Sequence, residues 1–492
     1  MMKWRVQIWA LILVLALGAS STWAQQQKDP RLNPPVAPLP PIMAGESSSK
    51  ALSDDPVPVP QNALKPDESP LSGAEAFSLG IKSGGRSYVN PSINYMQFAD
   101  NNRRTATSLD DWRTTGTLTG SLALQQTKSR SQLGINYSGG GSLFSNINSS
   151  RLSYHRLGFS EQISWRRVTL LLADSMTYLP ESSFGGGGFG GISSGLLGGL
   201  GNGSIGTALG GGLGGGLQPG IVPSQSILTG TGSRISNTSM GQLQIAISPR
   251  ASMTAGGSYG LLRFLDSGFI SSNNYLFSTG YNYKLNAADT IGVNYSMSML
   301  RFGGINRSAD FHNIHLAYGR RLTGRLAMRL NGGPQIGTFT NPVAGTGNRI
   351  SWSASSSLLY NFKNSDLGLS YTHGASSGSG VFVGSDTDRV EGSLSRQLTR
   401  MWSGHLVFGF AHNKGIQALN AVATNRNVNT WHAGFQVRRP LSRKANLSFT
   451  YNLTGQSANN PVGCTGLACG RLPLRHQFSL GINWGFGPYA ID

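Results

Sequence analysis

A membrane-spanning, antiparallel, up-and-down β-barrel of about 18 strands is the fold this sequence predicts, and three observations predict it. Of 492 residues only 12% are charged and 38% hydrophobic, with 67 glycines, a balance unlike that of a soluble enzyme or a helical membrane protein. Strand-length segments alternate large apolar residues with Ser, Thr, Asn and Gly, as a wall with lipid on one side and water on the other requires. The connections between those segments alternate long and short, which sorts tight turns to one rim and longer loops to the other. After the N-terminus no apolar run is long enough for a transmembrane helix.

Taken in order, Met1 to Ala24 reads as a secretory signal. Lys3 and Arg5 form its charged start, Val6 to Gly18 its apolar run, and Thr22-Trp23-Ala24 a small-residue cleavage site before Gln25. No Cys follows the apolar run, so a lipoprotein anchor is not expected. Residues 25–85 hold half of the 22 prolines, between Pro30 and Pro70, in runs such as PPVAPLPP and PVPVP. Such a stretch favours extended polyproline conformations and builds no core, so it reads as a disordered periplasmic tether. It is a plain spacer or a docking site for a periplasmic partner.

The barrel is expected over 86–492, including a Gly-rich loop at 178–231. Strands are predicted near 87–98, 113–126, 130–140, 150–161, 165–177, 232–247, 250–264, 272–284 and 287–301. The second half adds 309–321, 324–338, 348–362, 365–376, 386–398, 401–412, 426–438, 442–455 and 475–486. Leu447, Phe449, Tyr451 and Leu453 oppose Asn446, Ser448, Thr450 and Asn452; Ile291 to Met299 opposes Gly292 to Ser298 in the same way. Leu152 and Tyr154 run out of phase with Leu157 and Phe159, which predicts either a bulge or a misassigned strand there. Sixteen strands result if two early ones merge. Either number leaves room for an aqueous lumen unless something fills it.

More than half of the residues from Phe184 to Gly220 are Gly, and no charge occurs from Ser182 to Ser233. Leu196, Leu200, Leu209 and Leu213 are the candidates for a constriction inside the barrel mouth, the alternatives being a mobile outer loop or a contact with a neighbour. Cys464 and Cys469 form a close pair with no His or carboxylate beside it, so a disulfide pinning one loop is expected and a metal site is not.

The net charge of +19 is spread rather than blocked, with basic residues near turns at Arg166, Arg167, Arg320, Arg321, Arg325, Arg438, Arg439, Arg443 and Lys444. No compact basic face suggests nucleic acid. Lipopolysaccharide phosphates or an anion-favouring lumen fit the charge better. By phase, Arg329, His432 and Arg438 point inward with His315 and His405, and are the pore-lining candidates. An inward Arg either biases a pore toward anions or simply solvates the interior. The enzyme reading rests on LGLSYTHGASSG, where His373 lies close to Ser376 and Ser377, but no orienting Asp or Asn can be assigned. No enzyme activity, cofactor or metal is expected. The Gly clusters lack the Lys-Ser/Thr ending of a phosphate-binding loop.

The final strand, HQFSLGINWGF from His476 to Phe486, resembles the C-terminal signal of bacterial outer-membrane β-barrels, which commonly ends in an aromatic residue; here Gly487 to Asp492 follow it. The opening stretch SYVNPSINYMQFADNN, Ser87 to Asn102, resembles the start of β-barrel porins found with exopolysaccharide-export systems, where the first strand typically ends in an Asp-Asn turn. The resemblance implies an outer-membrane barrel with both termini in the periplasm, lipid and lipopolysaccharide around it, and passage or docking of a secreted polysaccharide. Residues 25–85 are too short and Pro-rich for the folded plug of a TonB-dependent receptor, and no passenger domain suggests an autotransporter. The expected function is a passive channel for small solutes or polysaccharide; the alternative is a closed structural barrel that binds a partner through its outer loops.

Overall fold

The computed structural model describes residues 87–101, 112–145, 153–179, 233–265, 269–286, 288–303, 307–323, 325–341, 345–362, 365–376, 382–417, 427–442, 444–458 and 472–491. The expected signal, the Pro-rich segment, the four constriction leucines, Ser377 and both cysteines lie outside them. The strands are β1 (Ser87–Asp100), β2 (Arg113–Thr127), β3 (Ser131–Ser145), β4 (Ser153–Ser164), β5 (Val168–Leu179), β6 (Arg234–Ala246), β7 (Ala251–Phe264), β8 (Ser272–Lys284) and β9 (Asp289–Phe302). They continue as β10 (Arg307–Arg321), β11 (Leu326–Asn341), β12 (Gly345–Asn361), β13 (Ser365–Ser376), β14 (Val383–Gln397), β15 (Ser403–Gln417), β16 (Asn427–Pro440), β17 (Ala445–Ala458), β18 (Leu472–Gly485) and the short β19 (Tyr489–Ile491). The bounds of β8 and β13 coincide with those expected from the alternation.

Each strand pairs antiparallel with the next, and β1 pairs with β18 from Ser92↔Gly485 to Asp100↔Gln477, which closes the ring. β19 prolongs β18 along the same strand, through Ser87↔Ile491 to Val89↔Tyr489, so the wall has 18 members rather than 16. A hydrocarbon solvent leaves no partner for an unpaired backbone N–H or C=O, and closure removes the two edges that would carry them. Both chain ends of the wall therefore meet at one rim. A circular section of 18 strands at ordinary spacing and tilt would measure on the order of 35 Å across its backbone.

The phases sort by solvent. On β18, Leu480 is 52% and Trp484 53% exposed while Ser479 and Gln477 are buried; on β9, Val293 is 50% exposed while Asn294 and Ser296 are buried. Large apolar side chains thus cover the outside and small polar ones the inside. In the long-loop half the outer face carries cross-strand Tyr and His pairs: Tyr137 Oη to His155 Nδ1 at 3.0 Å, Tyr295 to His312 at 2.7 Å and Tyr451 to His476 at 2.9 Å. Such amphipathic rings suit a membrane interface.

The opposite rim is built from one repeated turn. Ile247-Ser248, Leu285-Asn286, Leu322-Thr323, Leu398-Thr399 and Leu441-Ser442 each place an exposed aliphatic side chain before an oxygen-bearing one. The oxygen accepts the backbone N–H groups two and three residues on, at 2.7 and 2.8 Å for Asn286 and 3.2 and 3.0 Å for Thr323. Ser248, Thr399 and Ser442 do the same. The turn supplies the hydrogen bonds its own backbone lacks, a favourable arrangement at the edge of a membrane.

Three expectations are corrected. The register of β3 with β4 runs without a shift from Gly141↔Ser153 to Ser131↔Ile163, so Tyr154 simply takes the phase opposite to Leu157 and Phe159 and no bulge separates them; an irregularity lies instead between Gly116 and Thr117 on β2. The connections 303–306 and 342–344 are as short as the turns of the other rim, because β10 and β12 start earlier than the alternation suggested. And β12 and β13 separate in their long-loop halves: their pairing stops at Ala354↔His373, while β13 and β14 stay paired to Ser376↔Ser385. Beyond that fork Ile350 on β12 is 79% exposed, whereas His373, Ala375, Val383 and Ser385 are buried, so the β13–β14 tip runs inside the wall. Gly384, with φ of +74°, permits the bend.

Replacing Leu480 with Arg puts a charge into acyl chains near mid-wall and should cost about 2–4 kcal/mol in urea-dependent unfolding from bilayers, while Leu480→Ile should cost under about 1.5 kcal/mol.

Candidate functional site

The inner face is the surface that a solute or partner inside the barrel would meet, and strand register determines its residues. Arg329 on β11 pairs with Ser357, Arg438 on β16 with Ser403 and Ser448, His405 with Gln436, and His432 with Gly409 and Thr454. Asn294 on β9 pairs with His315 on β10. The structure places all five candidate residues on the polar, inward phase. Arg329, Arg438 and His405 stand toward the short-turn rim, and His315 and His432 near mid-wall.

Register adds residues that sequence reading did not select. Arg156 pairs with Ser138, Arg234 with Phe264, Arg307 with Phe302, Arg389 with Thr372 and Ala411, and Arg475 with Thr454, all in the inward phase. Among the described residues the carboxylates of that phase are Asp100, Asp366 and Glu391. Arginine therefore faces inward at both rims and in the middle. In a confined space with low-dielectric walls its charge acts over a longer distance than it would in bulk water.

The middle of the wall has a built cluster. Glu391, Gly409 and His432 form one row across β14, β15 and β16. Arg389, one inward step away, donates Nε–H to Glu391 Oε1 at 2.8 Å. The His432 ring lies over Gly409, where a Cβ would come within 2.2 Å of its Cε1; glycine is what lets the imidazole lie toward β14. Toward the short-turn rim His405 Nδ1 lies 2.8 Å from Ser395 Oγ. On the strands before the fork, His315 Nε2 on β10 lies 2.5 Å from Ser353 Oγ on β12, across Gly333 on the strand between them.

At the long-loop rim the inner face turns apolar. Leu300 and Phe302 on β9, Ala309 and Phe311 on β10, and Ala375 and Val383 on the inward tip form one buried cluster, with Ile270, Phe339 and Ile416 against it. The Phe302 ring comes within 3.9 Å of where a Gly384 Cβ would sit, although β9 and β14 are five strand positions apart. Five spacings of about 4.8 Å are far beyond side-chain reach along a round wall. The contact exists because the tip folds in, and Arg349 Nη2 on β12 donates to Asp386 Oδ2 on β14 at 3.2 Å across the fork.

At the same fork, strand phase separates His373 from Ser376, the described serine of the two that the enzyme reading named. His373 Nδ1 bonds Asp388 Oδ1 at 2.8 Å, and Asp388 also accepts Tyr371 Oη–H at 2.9 Å. Ser376 occupies the other phase of β13, with its hydroxyl 2.6 Å from Ser385 Oγ and 3.0 Å from Thr387 Oγ1. The orienting carboxylate that the sequence did not reveal is Asp388, and it holds His373 on the face opposite Ser376.

The class that this wall and its two surfaces define is the transmembrane β-barrel. No protein-family model matches the sequence, and a comparison with curated proteins finds no match. Among solved structures, OpdQ of Pseudomonas aeruginosa is 11% identical with a TM-score of 0.40, over 83% of this chain and 100% of that one. A BenF-like porin from Pseudomonas fluorescens Pf-5 is 10% identical with a TM-score of 0.42, over 82% and 99%. The ferric citrate transporter FecA is 10% identical with a TM-score of 0.41, over 81% and 64%. At these values the functional reading rests on the chain's own geometry.

Gly409→Val should displace the buried His432 ring and destabilise the barrel by about 1–3 kcal/mol in urea unfolding. Adding His432→Ala should recover most of that loss, because the two side chains would compete for one space.

Proposed function

We propose that the protein is an outer-membrane channel that favours anions, its short-turn rim and both ends of the barrel facing the periplasm. The observation that carries this reading is the inward arginine series, from Arg438 and Arg329 at one rim through Arg389 to Arg156 and Arg475 toward the other, inside a closed polar-lined wall. Small anions are the simplest substrates; the resemblance of Ser87 to Asn102 extends the reading to a secreted acidic polysaccharide. In this orientation Arg166, Arg167, Arg320, Arg321, Arg325 and Lys444, all exposed on the short-turn rim, meet phospholipid phosphates of the inner leaflet rather than lipopolysaccharide.

The second reading is a closed barrel that acts through its outer loops. The apolar cluster beneath the long-loop rim favours it, since Phe302, Phe311 and Val383 occupy space that a solute would need. Stretch 185–220 is the other candidate obstruction.

Purified protein in planar bilayers separates the two. Open-channel steps with anion permeability above that of cations support the channel, and Arg329→Gln with Arg438→Gln should move that ratio toward unity. A folded barrel with no conductance overturns it, unless deletion of 185–220 or the pair Phe302→Ser and Val383→Ser opens it, in which case the channel is gated by that element.

A further inference from the structure

A carboxylate sits on the lipid-facing side at mid-wall. Asp174 on β5 shares its phase with Leu172 and Met176, which are 37% and 44% exposed, and pairs with Phe159 on β4 and Ser239 on β6. At an ordinary tilt it lies about 15 Å from either end of its strand, in the middle of an apolar band about 25 Å tall. Among the described residues no Lys or Arg forms an ion pair with it. The other charges of the outer phase, such as Glu161, Arg301 with Asp310, and Arg320, stand toward the rims. A charge at this depth is costly, and where one is retained something other than acyl chain commonly meets it.

The surroundings say what that is. Asn237 Nδ2 donates to both Asp174 oxygens at 3.2 Å, and the Ser239 hydroxyl donates to Oδ2. The patch thus offers an acceptor with lone pairs left over beside a hydroxyl in its own row, Asp174 with Ser239, and an amide one step toward the long-loop rim in the row of Met176 and Asn237. Directly beside it the row Leu172, Gly241, Gly257 has no side chain at its last two positions, which leaves a shallow saddle in the outer surface. Acyl chains can satisfy none of the polar groups, and headgroups are a dozen ångströms away. Two copies of the chain inserted in the same direction contact each other at equal depth, and in a two-fold contact at this patch the second N–H of each Asn237 amide faces the Asp174 carboxylate of the other copy.

We propose that the outer face of β5, β6 and β7 is a self-association surface, covered by a second copy of this chain in a two-fold contact centred on Asp174, Asn237 and Ser239. The saddle at Gly241 and Gly257 lets the two walls approach closely enough for those groups to bond, as small residues do between membrane helices. The contact does not depend on whether the lumen conducts.

The test is the mass of the full-length protein in mild detergent and in native membranes. The wild type should be dimeric. Asp174→Leu should keep the heat-dependent gel mobility of a folded barrel while dissociating at least about tenfold more readily, and Gly257→Leu, which fills the saddle, should act alike. With both native cysteines changed to Ser, Asn237→Cys should give an oxidised product of twice the chain mass, and Ile482→Cys on β18 should not. A monomeric wild type, an Asp174→Leu variant that dimerises as well as the wild type, or an Asn237→Cys cross-link to a product of any other mass each overturns the proposal, the last in favour of a different protein.

Discussion

Backbone hydrogen bonding in a solvent that offers none is the constraint on which the rest of this structure depends. It is met by pairing each strand with its neighbours and then pairing the first with the last. That final joint is the longest-range one in the chain: Asn101 Oδ1 accepts the N–H of His476 at 2.6 Å across 375 residues, just above Asp100↔Gln477. Every other joint is between neighbours in sequence, and five of the tight turns satisfy themselves through a Ser, Thr or Asn oxygen. Loop-closure entropy is therefore small at those turns and largest at the seam.

Once the wall is closed, period-two alternation gives the two faces opposite chemistry without further instruction. The outer face is built for lipid and the inner one for water, and function resides in the departures from this rule. Inside, the departures are a series of arginines and an apolar cluster below one rim. Outside, the main departure is a carboxylate at the depth where a charge is least welcome. Glycine makes each departure fit: Gly409 gives the His432 ring its place, Gly384 turns the inward tip, and Gly241 with Gly257 flattens the wall beside Asp174.

Much of this was readable in the sequence because alternation is a local signal. Strand positions, the 18-fold count and the inward phase of Arg329, His405 and Arg438 follow from counting by twos. Arg156 and Arg475 were equally inward, but the first lies two residues after the out-of-phase Tyr154 and the second at the first position of the strand expected over 475–486. The inward tip was not readable, because it depends on β12 and β13 parting, and nothing in SWSASSS or YTHGASS marks where two strands stop pairing. Asp388 was missed for a related reason: it stands opposite His373 only through cross-strand register. The repeated aliphatic-then-hydroxyl turn was plain in the sequence once the rim showed what it was for.

The fork also fixes how deep the barrel sits. Above Ala354 the side of β12 that faces β13 has no ladder partner among the described residues. Hydrocarbon does not tolerate such an edge, so on that side the acyl chains can rise no higher than the Ala354 and His373 pair. The Trp352 ring, stacked on His373 at 4.0 Å, then lies where oil gives way to headgroups, a waterline drawn by the backbone itself.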